Sequence, residues 1–169
     1  AVALVLVRLA RQRATDREHM GFVALAGWLG VAAMGAFAVF AGGGEPPWAR
    51  LGISLAVWGF LLPVFLAVAH RMLPFFTASA VRGYVLHRPP WALRSLVGLG
   101  MLHGGLAFFE RIEWLWLADL PATLVAVRLT WLWWSRAALA NRMLSVLHVA
   151  FAWLGAAFAL FAVQSLFWK

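Results

Sequence analysis

The chain has 169 residues, of which 64% are hydrophobic and only 12% charged, against about 25% charged in an average soluble domain. A domain of this size still exposes much of its surface, so the composition excludes an ordinary water-soluble globule and makes the lipid bilayer its natural solvent. The absence of cysteine excludes disulfides, thiolate metal ligands and cysteine nucleophiles. The net charge of +8 sits on arginines at the ends of apolar runs, which favours anionic lipid headgroups over nucleic acid as the partner.

A spanning helix needs about 20 mostly apolar residues. The opening residues, AVALVLVRLARQR, read as the tail of such a helix, with positive charges after the apolar run, where a signal peptide has them before it. That pattern predicts a piece of a longer protein. Met20 to Ala41 is the first full span, closed by the tight turn GGGEPPW, and Leu51 to Ala69 is the second. The stretch HRMLPFFT follows, in which Pro74 is expected to end or kink the helix. The residues up to Arg82 are then either an interfacial or re-entrant segment aiming Arg71 and Arg82 back at the bundle end, or a positive-inside anchor with an aromatic belt. HRPPW combines an extended X-Pro segment with a proline start to the third span, Trp91 to Phe109. The short ERIE turn makes that helix an antiparallel neighbour of the fourth span, Trp114 to Trp134, and Met143 to Phe167 is the fifth. The expected fold is therefore all-α, a single polytopic transmembrane helix bundle of five complete spans plus a remnant at Ala1 to Val7.

Strict alternation of these spans collects Arg8, Arg11, Arg13, Arg17, Arg71, Arg82, Arg88, Arg94, Arg136 and Arg142 on one side, and only Arg50, Arg111 and Lys169 on the other. By the positive-inside rule the first side is cytoplasmic.

Three of the five histidines are expected at membrane depth. His103 lies near the middle of the third span, where an ionisable group is costly and needs a partner or a cavity. Gly100 and Gly104 flank it, which suits either close helix packing or room for a flat macrocycle beside an imidazole ligand. His148 lies inside the fifth span, and His70 closes the second at a similar level, so the two could meet in the bundle as metal ligands. His19 and His87 read as solvated. Asp119, just inside the fourth span, is either a helix-start acid or a proton or cation contact, and Arg128 is placed to snorkel towards the inner face.

HRMLPFFTASAVRGY resembles a segment of the NnrS family in which an arginine, a proline, two phenylalanines and a threonine follow a spanning helix. NRMLSVLHVAFAWLGAAFAL resembles that family's helix with a leucine-histidine pair before an aromatic-rich run, and RLARQRATDREHMGFVALAG resembles, more weakly, one of its arginine-rich loops. On Arg71, Pro74, Phe75, Phe76, Thr77, His148 and Trp153, the resemblance implies a bacterial inner-membrane protein of the nitric oxide response, associated with haem and copper, and larger than this chain. The expected cofactor residues are His70, His103 and His148, with His70 and His148 on the metal and Arg71 and Arg82 on haem propionates. The remaining half of the parent protein is the expected partner. The alternative is a cofactor-free transporter or permease fragment in which Asp119, Arg128 and His103 line a proton or substrate path.

Overall fold

The structure, a computed structural model, describes residues 17–167. Among them every regular element is helical, as an apolar chain in lipid requires, because helices satisfy their backbone groups internally. We number them α1 (Arg17–Ala41), α2 (Pro46–Ser54), α3 (Leu62–Ala80), α4 (Pro90–Phe108), α5 (Trp116–Trp133), α6 (Arg136–Leu139) and α7 (Arg142–Phe167). A π-helical segment, Leu55–Leu61, joins α2 to α3 without a break, so one helix runs from Pro46 to Ala80.

Four of the described helices are long and apolar enough to cross a membrane: His19–Ala41, Pro46–Ala80, Ile112–Trp133 and Arg142–Phe167. The third expected span is also a helix, Pro90–Phe108, but Arg94, His103 and four glycines make it less apolar than the rest. The expected remnant at Ala1 to Val7 lies outside the described residues. The outward surface fits a bilayer: Met34 is 77% exposed and Trp131 84%, large apolar side chains that water would not tolerate in such number. The chain is a helical membrane protein.

The second span is longer than expected. Pro74 neither ends nor breaks the helix; it is fully buried within α3, which continues to Ala80. Proline leaves His70 O without its helical donor, and one turn on Thr77 Oγ1 donates to Leu73 O at 2.8 Å. The expected re-entrant segment is thus the last part of a straight-through helix. It ends at Val81, which is extended, and Gly83 then takes φ +77, a left-handed turn that glycine allows. Pro89 is extended and Pro90 opens α4, as the sequence dictates.

The core lies where α3, α4, α5 and α7 meet. Ala118, Ala122 and Ala126, all fully buried, form a stripe of small residues along α5 that brings α7 close, its Gly155 against Ala126 and Val127. Around them pack Leu66, Leu93, Leu96, Trp133, Phe151 and Phe158. α1 lies against α2, the π-helical segment and α3, on the far side from α7.

The turn after α4 carries an ion pair between Arg50 and Glu110, both exposed. Glu110 adopts φ 58, a region where a non-glycine residue costs about 1–2 kcal/mol, while an exposed ion pair contributes about 0–1 kcal/mol. Glu110→Gly is therefore expected to be neutral or mildly stabilising in denaturant titrations in detergent, although it deletes the ion pair.

Candidate functional site

Among the described residues, the buried histidines and the buried carboxylate fall into two places. The first is between α4 and α5. His103 is 4% exposed and Asp119 is 0% exposed, and His103 Nδ1 donates to Asp119 Oδ1 at 2.6 Å. Their meeting follows from the hairpin: the two residues lie on antiparallel helices at similar distances from the short turn between them. Thr123 Oγ1 donates to the Asp119 backbone oxygen at 2.8 Å, fastening the turn below the carboxylate. Asp119 Oδ2 is buried without a hydrogen-bond partner, and among the described residues no hydrogen bond reaches His103 Nε2.

Aromatic rings enclose the imidazole. Trp58, from the π-helical segment, stacks on it with ring centroids 3.8 Å apart, and Phe161 of α7 lies at 5.0 Å. Gly104 makes that stack possible, since a Cβ there would stand 2.6 Å from Trp58 Cβ. A Cβ on Gly100 would meet Leu62 Cδ2 at 2.5 Å. Ser54 Oγ donates to Gly104 O at 2.9 Å and holds α2 against the same face. These glycines therefore serve close helix packing, and the space beside them that a macrocycle would need is filled by Trp58 and Leu62.

The second place is the opposite end of the bundle. His70 is buried, and its Nε2 donates to Pro89 O at 3.0 Å. A neutral imidazole has one donor and one acceptor, so His70 Nδ1 receives the His19 Nε2 proton across 3.1 Å. His19, expected in solvent, is instead half-buried and tilted against that ring at 5.3 Å. Trp133 stands edge-on to His70 at 5.7 Å, and its Nε1 donates to His87 O at 2.9 Å. His70 and Trp133 thus tie down the loop between α3 and α4.

His148 does not contact His70. Its Nδ1 lies 2.9 Å from Leu144 O and its Nε2 3.1 Å from Trp133 O, with Thr77 Oγ1 at 3.5 Å. Trp133 is the last residue of α5, whose final carbonyls have no partner within the helix; a neutral His148 has one proton to donate and serves either Leu144 O or Trp133 O. Trp133 links the two histidines, its ring beside one and its carbonyl on the other. Arg71 is half-buried in α3, and Arg82 is exposed just beyond it. His87 is exposed, with Nδ1 near Val85 O. Asp119 and Arg128 do not pair, and Arg128 is exposed on the outer face of α5.

Among the described residues no group of three or more His, Asp or Glu side chains could hold a metal ion. An apolar groove between α1 and α2, lined by Gly27, Gly30, Met34, Phe37, Ile53 and Phe60, carries no titratable group. The buried chemistry is confined to the two places above.

The family model described as NnrS protein matches residues 1–169, the whole chain. The chain belongs to the NnrS family. Comparisons with curated proteins and with solved structures give no match. Family membership bears out the resemblance carried by HRMLPFFT and the leucine-histidine helix, and the structure brings those two NnrS motifs into contact through Thr77 and His148. The shortest buried side-chain contact among the described residues of this NnrS chain, His103 with Asp119, lies outside both motifs.

The haem and copper that the resemblance implies can be tested against these residues. The donor chemistry at His103 fits a metal-bound imidazole: a carboxylate fixes the ring through one nitrogen, as is usual behind ligand histidines, while the other keeps its lone pair. The packing at Gly100 and Gly104 does not fit a macrocycle lying there.

Proposed function

We propose that this NnrS-like protein is a haem- and copper-associated protein of the response to nitric oxide and nitrosative stress. We place it in the bacterial inner membrane as five spans, with the His70 end cytoplasmic by its arginines. Beyond family membership, the observation that carries this reading is the buried His103–Asp119 pair with His103 Nε2 left for a ligand. A bound iron or copper supplies an electrophilic centre to which nitric oxide can coordinate. The chain's own part is to fix the ring: Asp119 orients His103, Thr123 steadies Asp119, and Trp58 and Phe161 keep water from its faces.

His70 has one ring nitrogen on Pro89 O and the other on His19, and His148 has both against carbonyl oxygens, so each must release a contact to take a metal. Arg71 and Arg82 stand at the cytoplasmic end of α3, suited to the carboxylates of a cofactor held at that end.

The test is an absorption spectrum with metal analysis on the natural-length protein in detergent, beside His103→Ala, His70→Ala and His148→Ala. Bound copper lost with His103→Ala, and retained with His148→Ala, is the expected result, and a haem band should survive His103→Ala because Trp58 and Leu62 fill the space a macrocycle would need there. A featureless spectrum without metal sinks the reading, and turns attention to Asp119, Arg128 and His103 as parts of a transport path.

A further inference from the structure

α5 presents two faces of opposite character. Its buried face is the alanine stripe with Asp119, Leu129 and Trp133. On the other side Leu120, Leu124, Val127, Arg128 and Trp131 follow one another at i, i+4, i+7, i+8 and i+11, a single stripe along the helix. Leu124 is 64% exposed, Val127 55% and Trp131 84%. Taken alone, the apolar members of this stripe suit hydrocarbon.

Arg128 does not. It is exposed, it belongs to a helix long and apolar enough to cross a membrane, and no hydrogen bond or ion pair reaches it among the described residues. It stands about 18 Å along the helix from Trp116 and about 7.5 Å from Trp133, at 1.5 Å per residue. The near end is the obvious escape for a guanidinium, yet side chains on a helix leave the backbone tilted towards its N-terminus. Arg128 therefore starts out directed away from the near interface and towards the bilayer interior, where an unpaired charge faces protein rather than lipid.

We propose that this face of α5 is covered by another transmembrane helix, from outside the described residues, that presents a carboxylate to Arg128. A guanidinium in a dry interface calls for a bidentate oxygen acceptor. A second copy of the chain cannot supply one at this depth. It has six acidic residues, of which Asp119 is buried against His103, while Asp16, Glu18, Glu45, Glu110 and Glu113 fall at or beyond the ends of the spans. The covering helix is thus apolar with one acid, and the flanking Leu124, Val127 and Trp131 give it a greasy seat.

The chain contains no cysteine, so single thiols can be placed at will. Spin labels at Leu124→Cys and Val127→Cys, in the natural-length protein in its own membrane, report collision with dissolved oxygen, which concentrates in hydrocarbon. Both labels are expected to be immobile and several-fold less accessible to oxygen than a lipid-facing label. Arg128→Gln should raise oxygen accessibility several-fold, and Arg128→Lys should not. High accessibility at both positions, unchanged by Arg128→Gln, would mean that Arg128 reaches lipid phosphate, and overturns the proposal. Low accessibility that Arg128→Gln leaves unchanged also overturns it, since the charge would then recognise nothing. Dipolar broadening between labels would show two copies meeting on this face, and equally rejects a carboxylate-bearing helix.

Discussion

Asp119→Ala is expected to weaken metal binding at His103 by about 10- to 100-fold, the usual cost of removing the group that holds a ligand histidine from behind. Two effects combine. The carboxylate fixes the ring by accepting from Nδ1 at 2.6 Å, and its charge makes the opposite nitrogen a better donor. Asp119→Asn separates them, because an amide oxygen can still accept from Nδ1 but brings no charge, so its affinity should fall between the wild type and the alanine variant. Metal titrations on the three proteins provide the measurement. Alanine also leaves a buried imidazole donor unpaired, at about 1–3 kcal/mol, so folding must be followed alongside. Equal metal content in all three would remove His103 from the ligand set whatever the spectrum of the parent shows.

Gly104→Ala carries the second large effect. The added methyl would stand 2.6 Å from Trp58 Cβ and 2.8 Å from Trp58 Cγ, atoms next to the backbone that cannot swing aside. The π-helical segment and α4 must therefore separate, an overpacking cost of about 1–3 kcal/mol, and the Trp58–His103 stack must open. Gly100→Ala is expected to be milder, since the clashing atom is the flexible end of Leu62. Gly98 and Gly105 have nothing within 4 Å of an added Cβ. Alanine at either should be neutral, or stabilise by up to about 1 kcal/mol through helix propensity. Denaturant titrations in detergent on the four variants, with Trp fluorescence as readout, check the order. A Gly104→Ala protein as stable as Gly105→Ala would mean that the close approach of Trp58 is not a feature of the folded state.

Hydrophobic run length places four of the five helices within a few residues, because bilayer thickness leaves little choice of length. The exception is instructive. The second helix is expected to stop at Ala69, since His70, Arg71 and Pro74 interrupt the apolar run, but it continues to Ala80 with Pro74 buried inside it. Proline rules drawn from water carry less weight inside a bundle, where packing against neighbouring helices holds a helix that has lost one bond.

The site was legible in part. Depth alone identified His103 as needing a partner, and Asp119 as unusual, but they were not joined. The signal was present: the ERIE turn is short, His103 lies seven residues before Glu110 and Asp119 six after Glu113, so antiparallel helices bring them level. The His19–His70 contact was invisible, because it depends on how α1 leans on α3, which periodicity does not encode. His148 reads in sequence as a partner for His70, and lies instead between the carbonyls of Leu144 and Trp133.

The π-helical segment between α2 and α3 acts as a phase setter. In an α-helix each residue gained or lost turns everything beyond it by about 100°, and a π-helical stretch takes up an extra residue without such a turn. Trp58 stacks on His103 from within this stretch, while Ser54 and Arg50, just before it, hold Gly104 and Glu110. One residue lost between Trp58 and Leu61 would therefore be taken up as this stretch closes to an α-helix, leaving the faces of α2 and α3 in register. The same loss inside α2 or α3 has no such slack and would turn one flank by about 100° against the other.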